Sequence, residues 1–301
     1  MTKTILLTGA TGFLGSHLLE ALIKEGYKVV ILKRSFSNTW RIDQFMDKVK
    51  SYDIDITPFE KAFEEQKIDV VIHTATNYGR KNETVSKIVD VNLMFSLKLL
   101  ETATYFDTDT FFNTDTLQYK YLSNYTISKK QFVEWLKAFG EAKKIKVINL
   151  KLEHMYGPGD DAKKFVVWLM GQMLSNTAEI NLTKGEQKRD FIFIDDIVDA
   201  YMLLLRQTER LPQVSEFDVG TGKQISIKEF VLKLKDTVES IYNKPISTKL
   251  NFGAIPYREG EMMEVVEDVN PLFDIGWKPN FILADGLKLV VDEFMERRET
   301  I

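Results

Sequence analysis

Tyr125 and Lys129 stand four residues apart in Tyr125-Thr126-Ile127-Ser128-Lys129. On a helix that spacing puts both side chains on one face, one turn apart. A tyrosine with its ordinary pKa of about 10 is a poor acid–base group at neutral pH. An adjacent ammonium stabilises the phenolate and lowers that value, which makes the pair a candidate proton donor. The spacing alone is common, since Tyr121 and Tyr125 are also four apart. It gains weight from the chain's opening, where Leu6-Leu7-Thr8-Gly9-Ala10-Thr11-Gly12-Phe13-Leu14-Gly15 follows a β-rich run and leads into a helical pattern. Glycines there let the backbone turn sharply and approach a pyrophosphate, and a helix N-terminus offers unpaired N–H groups to an anion. That context is the one a dinucleotide fingerprint requires; a plain strand-to-helix turn is the bland alternative. The Gly-Lys-Ser/Thr ending of an NTPase phosphate loop is missing.

These groups need a frame, and the first half of the chain alternates strand-like and helix-like segments. Strands are predicted at Thr4–Leu7, Lys28–Leu32, Val49–Ile54, Asp69–His73, Thr110–Asn113 and Lys146–Leu152. Helices are predicted at Gly15–Gly26, Pro58–Gln66, Val85–Ala103 and Tyr125–Gly140. The runs Val29–Leu32 and Val70–Ile72 are apolar without alternation, as strands buried on both faces are. The expected class is α/β: a doubly wound parallel sheet of Rossmann type with a smaller C-terminal lobe. Residues 1–152, with returning segments near 187–220, form the expected dinucleotide domain, and 153–301 form most of the substrate-binding lobe. A last amphipathic helix is predicted at Leu283–Arg297. His73, in an apolar strand, reads as a satisfied buried histidine.

Composition narrows the function classes. The 301 residues carry 40 basic and 44 acidic side chains, a net charge of −4, so bulk attraction to a nucleic acid is not expected. With no cysteine, disulfides, thiol catalysis and thiolate metal sites are excluded, and the three histidines share no metal-ligand spacing, so no metal is expected. The N-terminus lacks a signal-peptide layout and no apolar stretch spans a bilayer, so a cytoplasmic protein off the membrane is expected.

The spacing Gly9-x-x-Gly12-x-x-Gly15 with Phe13 resembles the extended short-chain dehydrogenase/reductase family of nucleotide-sugar epimerases, dehydratases and reductases. The resemblance runs over nearly the whole chain. It implies that Gly9, Thr11, Gly12, Phe13, Leu14 and Gly15 hold the dinucleotide, joined by Thr74, Ala75, Thr76, Asn92 and Leu152. Asp53-Ile54 resembles the pair that touches adenine, with Asp55-Ile56 as the alternative register. Lys33 and Arg34 end the second strand where an acid would bind the ribose of NAD, and a base admits a 2′-phosphate; NADP(H) is therefore favoured and NAD(H) is the alternative. The same pair also fits a solvated surface site.

By the same resemblance Tyr125 donates the proton and Lys129 tunes it and meets the nicotinamide ribose. The catalytic hydroxyl is Thr114, with Thr116 as alternative, although the interval to Tyr125 is shorter than the family's usual one. Dehydratases of the family carry Thr-Asp-Glu where this chain has Thr114-Asp115-Thr116, so one arm of an elimination pair is missing. Epimerases acting at carbons 3 and 5 use a cysteine. Ketone reduction and 4-epimerisation remain. Arg189, in Gln187-Lys188-Arg189-Asp190-Phe191-Ile192, and Arg258, in Pro256-Tyr257-Arg258-Glu259-Gly260-Glu261, resemble the family's diphosphate contacts; surface pairs with Asp190 and Glu259 are the bland reading. His154 stands where relatives have asparagine, and it either contacts the sugar nucleotide or packs beneath its loop.

Asn77, Tyr78 and Arg80, with Thr116, follow strand ends that face a ligand crevice in such sheets. Thr-Asn-Tyr-Gly-Arg, Asn-Thr-Asp-Thr and the short loop before Tyr-x-x-Ser-Lys-Lys look most like the CDP-abequose and CDP-paratose synthase subgroup, 4-ketoreductases of 3,6-dideoxyhexose biosynthesis. The resemblance implies NADPH-dependent reduction of the C4 ketone of a nucleotide-diphosphate-linked 4-keto-deoxysugar for surface polysaccharide. The alternative is a nucleotide-sugar 4-epimerase using bound NAD. A dinucleotide-sensing module without chemistry would have a broken pair, and Tyr125 and Lys129 are both present. A homodimer through the fourth and fifth helices is implied; the apolar residues of Val85–Ala103 and Phe132–Phe139 serve either that interface or the core.

Overall fold

A computed structural model describes residues 2–299. The chain runs β1 (Thr4–Thr8), α1 (Phe13–Lys24), β2 (Lys28–Lys33), β3 (Lys50–Asp53), α2 (Lys61–Glu64) and β4 (Val70–His73). Next come α3 (Val85–Val89), a π-helical stretch Asp90–Phe95, α4 (Ser96–Tyr105), β5 (Thr110–Thr116), α5 (Asn124–Glu141) and β6 (Lys146–Leu152). The remainder is β7 (His154–Tyr156), α6 (Phe165–Leu174), β8 (Glu179–Leu182), β9 (Lys188–Phe193), α7 (Ile194–Gln207), β10 (Val214–Val219), β11 (Gln224–Ser226), α8 (Ile227–Tyr242), β12 (Lys249–Phe252), α9 (Asn270–Asp274) and α10 (Leu283–Glu299).

Seven parallel strands form one sheet in the order β10-β6-β5-β4-β1-β2-β3. This is the Rossmann-type α/β fold expected from the unalternating apolar runs. Strand order reverses between β1 and β4, and their C-terminal ends open the crevice where ligands bind in such sheets. Leu6, Val71 and Phe111 from three of these strands pack with Leu99 of α4 and Phe132 of α5, all without solvent exposure. Shorter sheets, β11-β9-β7 and β12-β8, lie in the rest of the chain.

The chain divides into two units. One contains the residues up to Leu152 together with Val198–Val219; the other contains Glu153–Ile197 and the residues from Gly220 on. The segment that rejoins the first unit thus begins at 198, not near 187. Three elements depart from expectation. The helix predicted at Pro58–Gln66 is a single turn, Lys61–Glu64, because burying Phe59, Ala62 and Phe63 takes no more. The helix predicted at Val85–Ala103 continues to Tyr105 but changes to π-helical hydrogen bonding around Asn92. Strand β5 runs three residues past Asn113 because Thr114, Asp115 and Thr116 pair with Leu150, Lys151 and Leu152 of β6. Among the described residues, no helix is long and apolar enough to cross a membrane.

Candidate active site

The glycine loop closes between β1 and α1. Gly9 adopts φ +72°, and a Cβ there would lie 2.6 Å from Thr74 Oγ1 and 2.7 Å from the Ala75 nitrogen. Gly12 N donates to Gly9 O at 2.9 Å, and Gly12 caps α1 without any side-chain bond to the first turn. A Cβ at Gly15 would come within 2.1 Å of Gly9 O. Glycines therefore hold a cradle that side chains would fill, beside a helix N-terminus with no side-chain cap. These residues fit the phosphates of a dinucleotide. Phe13 and Leu14 turn into the core, Phe13 edge-on to His17 at 5.3 Å.

Across the loop, β2 ends beside two acids. Lys33 is paired with Asp53, its register partner on β3. Ser35 donates to Asp55 from its backbone N at 2.7 Å and from its hydroxyl at 2.6 Å. Of the two bases singled out from the sequence, Arg34 is exposed and stacks over Phe36 at 4.7 Å, whereas Lys33 is engaged. Ile54 packs against the core. Arg41 escaped the sequence reading: its Nη1 donates to Thr11 O of the glycine loop at 3.4 Å. The signal available was a tryptophan–arginine pair in a polar loop, and the structure stacks Arg41 on Trp40 at 4.4 Å.

The loop after β4 is bolted to the helices by one side chain. Asn92 Oδ1 accepts from Asn77 N at 2.7 Å and from Thr76 Oγ1 at 3.1 Å. Its Nδ2 donates to Asn77 O at 2.8 Å and to Ser128 Oγ of α5 at 3.0 Å. Thr74 Oγ1 donates to Thr8 O at 2.8 Å, and Ala75 N to Thr8 Oγ1 at 3.3 Å. His73 is satisfied at both ring nitrogens, sharing 2.8 Å hydrogen bonds with Thr8 and Ser96. Replacing Asn92 by leucine keeps the branched shape but strands several buried polar groups. Asn92→Leu is expected to cost about 3 kcal/mol in denaturant melts.

Helix α5 begins at a capping box in which Ser123 Oγ accepts from Thr126 N and Thr126 Oγ1 accepts from Ser123 N. This cap fixes the first turn and with it Tyr125. The Tyr125 ring lies 4.9 Å from that of Tyr78, and the Arg80 guanidinium sits 4.7 Å over Tyr78. Burial, with Tyr78 and Asp115 beside it, pushes the Tyr125 hydroxyl well above the usual tyrosine value; Arg80 pulls it down. Burial lowers Lys129 to about 8, Asp115 opposes that fall, and Lys130 adds to it. The lowering influence on Tyr125 thus comes from Arg80, in place of the Lys129 ammonium expected from the spacing. Thr114 shares a 2.6 Å hydrogen bond with Tyr201 of α7, whereas Thr116 Oγ1 accepts from Gln118 N at 3.2 Å. Asp115 Oδ2 is paired with the Lys130 ammonium at 2.7 Å. Leu152 is buried at the end of β6, opposite Thr116 in register.

The second unit gathers Arg189 and Arg258 around one acid. Glu261 accepts from both, with Arg258 Nε at 2.7 Å. Neither arginine takes the neighbouring acid that its sequence suggests. His154 Nδ1 lies 3.0 Å from Glu153, and its ring is 6.0 Å from that of Phe191. Nearby, Glu153, Asp190 and Glu267 converge on Gly220, where a Cβ would stand 2.4 Å from Glu267 and 2.8 Å from Asp190. Burial, then Asp190 and Glu153, push Glu267 up to about 8 from an ordinary value of 4.5. The folded state keeps a proton that the unfolded chain has released, so stability falls as pH rises between those two values. Glu267→Gln removes that loss. It should raise the melting temperature at pH 9 and leave it unchanged at pH 4, as read by thermal melts.

Comparisons with known proteins agree with this architecture. The profile of the family described as "NAD dependent epimerase/dehydratase family" matches residues 5–220. A CDP-abequose synthase of Salmonella typhimurium is 36% identical over 299 residues, covering 96% of this chain and 97% of that protein. Among solved structures, a UDP-glucose 4-epimerase of Thermotoga maritima with UDP-glucose superposes with a TM-score of 0.82 at 24% identity, covering 98% of this chain and 99% of that one. A UDP-glucuronic acid 4-epimerase of Bacillus cereus, in complex with UDP-glucuronic acid and NAD, gives 0.81 at 25% identity over 98% and 99% of the two chains. A profile spanning the whole glycine-loop sheet, and a relative matched almost end to end, make this chain a member of the NAD-dependent epimerase/dehydratase family, within the extended short-chain dehydrogenases/reductases.

Proposed function

We propose that the chain is an NADPH-dependent 4-ketoreductase acting on a nucleotide-diphosphate-linked 4-keto-deoxysugar, in the biosynthesis of surface polysaccharide sugars. The observation that carries this reading is the arrangement at the start of α5. Tyr125 lies in the capped first turn with Lys129 one turn further on, Tyr78 packs against Tyr125, and Arg80 stacks over Tyr78. The strand end beside them holds Asp115 without the second acid that elimination needs. End-to-end likeness to a CDP-abequose synthase supports the same chemistry.

A nicotinamide dinucleotide held by the glycine loop supplies hydride to C4. Tyr125 donates its Oη proton to the ketone oxygen, Lys129 steadies the resulting phenolate, and Thr114 orients the carbonyl. Gly9, Thr11, Gly12 and Gly15 cradle the pyrophosphate. Arg34 takes the 2′-phosphate of NADP(H), since Lys33 is engaged with Asp53. In the second unit Arg189 and Arg258 bracket the substrate diphosphate with charge-assisted bonds, and His154 lies on the sugar-nucleotide side. Asn77, Tyr78, Arg80 and Thr116 complete the substrate contacts. The proposal extends to a cytoplasmic homodimer joined along α5 and the helical stretch from Val85 to Tyr105, where Trp135 and Met94 are exposed.

A second reading, 4-epimerisation with retained NAD, is favoured by the likeness of the fold to 4-epimerases. Mixing the protein with CDP-, dTDP-, UDP- and GDP-linked 4-keto sugars and following NADPH absorbance separates the two. Stoichiometric NADPH loss marks the reductase; interconversion of 4-epimers without net NADPH loss marks the epimerase.

A further inference from the structure

Tyr201 is a tyrosine buried in the middle of a helix. It lies on α7 with no solvent exposure, and its ring faces Phe112 of β5 at a centroid distance of 6.3 Å. Side chains alternate along a strand, so Phe112 and Thr114 point to that same face of the sheet, while Phe111 meets Phe132 of α5 on the other. Phenylalanine would fill the space with the same carbon skeleton. The extra oxygen reaches Thr114 Oγ1 at 2.6 Å, across 87 positions of sequence and within the first unit. Burying a phenol is costly unless it finds a partner, and among the described residues neither hydroxyl makes another hydrogen bond.

The direction of that bond follows from satisfying both groups. Each hydroxyl has one proton to give and lone pairs to receive one. If Thr114 donated, the Tyr201 proton would be stranded in the core without an acceptor. If Tyr201 donates, its proton is satisfied, and Thr114, half-buried toward the C-terminal end of β5, keeps its own proton for a group in the crevice. Donation from one hydroxyl to the next also polarises the second O–H and makes it the stronger donor.

We propose that Tyr201 is a positioning residue: its phenol donates to Thr114 Oγ1 and thereby aims the Thr114 proton at the ketone oxygen of the substrate. The inference rests on Thr114 orienting that carbonyl. Neither hydroxyl gives up its proton in the step; hydride adds to the carbonyl carbon, and the oxygen takes its proton from Tyr125. What the two hydroxyls supply is a donor already turned toward the oxygen as negative charge develops on it. A lone threonine hydroxyl rotates to suit whatever acceptor is near.

The test is a double-mutant cycle on the rate of NADPH oxidation with the 4-keto sugar that the parent reduces, joined to Raman spectroscopy of Tyr201. Thr114→Val removes the donor and should lower kcat by about 10²–10³-fold. Tyr201→Phe leaves the Thr114 hydroxyl present but unaimed, so kcat should fall about 10-fold with KM unchanged. The double variant should be no slower than Thr114→Val, because nothing is left to aim. In the difference spectrum of parent minus Tyr201→Phe, the intensity ratio of the tyrosine Fermi doublet should be that of a phenol that donates without accepting. An unchanged kcat in Tyr201→Phe overturns the inference. So does a loss of equal size in the parent and Thr114→Val backgrounds, which is what a purely structural tyrosine would give. The doublet of an accepting phenol overturns it alone, and it decides the matter if Thr114→Val does not fold. A parent that oxidises no NADPH but interconverts 4-epimers counts against the ketoreductase reading; the cycle is then read on epimerisation, which passes through the same C4 ketone. A parent that turns over none of these sugars counts against both of those readings, and the Raman ratio then decides the direction of the Tyr201–Thr114 bond by itself.

Discussion

Tyr125→Phe is expected to lower the turnover of a nucleotide-linked 4-keto sugar by about 10²–10⁴-fold, the contribution usual for a positioned acid. The substitution removes a single oxygen. The phenyl ring still meets Tyr78, whose centroid lies 4.9 Å away. The Ser123–Thr126 box that sets the turn uses no atom of the Tyr125 side chain. Asn92 and Ser128 still hold the loop after β4 against α5. NADPH affinity, read by quenching or enhancement of nicotinamide fluorescence, should therefore stay as it is in the parent. Turnover that survives intact would remove Tyr125 from the reaction. Loss of affinity together with turnover would mean that the hydroxyl organises the dinucleotide site, a structural part in place of a chemical one.

Much of the frame around that hydroxyl was legible from local pattern. The glycines at 9, 12 and 15 stand between an apolar run and a helical one, and at 9 and 15 a Cβ would come within 3 Å of backbone atoms. Unalternating strands such as Val29–Leu32 announced a sheet covered on both faces. What stayed hidden depends on partners distant in the chain. Asn-Thr-Asp-Thr has weak strand propensity, and β5 extends through it only because β6 supplies the pairing. Lys33 looked available until β3 brought Asp53 opposite it. Thr114 carries a hydroxyl of the expected type, yet its hydrogen bond to Tyr201 spans 87 positions. Asp115 meets Lys130 because α5 lies back across the strand end. Spacing placed the Tyr125–Lys129 pair, but burial shifts both groups most, and no periodicity gives that burial.

Gly15→Ala should be among the most damaging single-methyl changes in the protein. The added carbon would stand 2.1 Å from Gly9 O and 2.6 Å from Gly9 C, both backbone atoms. No rotamer relieves that contact, since a Cβ has none. Gly9 has little room to yield. Its carbonyl holds Gly12 N at 2.9 Å, and the space where a Cβ would project is taken by Thr74 and Ala75, which hydrogen-bond to Thr8 of β1. Relief therefore requires α1 to slide away from β1 and open the turn. A cost of about 3 kcal/mol, the upper end of overpacking penalties, is expected in denaturant melts. The first-turn N–H groups of α1 would move with the helix, so NADPH binding should be lost even where the variant is fully folded. Gly26→Ala is the matched control. Gly26 has φ +81° but open space around its α-carbon, so the strain is that of one left-handed residue, about 1–2 kcal/mol, with nothing to displace. Dinucleotide affinity should survive in Gly26→Ala. Equal affinity in the two variants would show that the opening turn tolerates a side chain and that its glycines serve the chain's path alone.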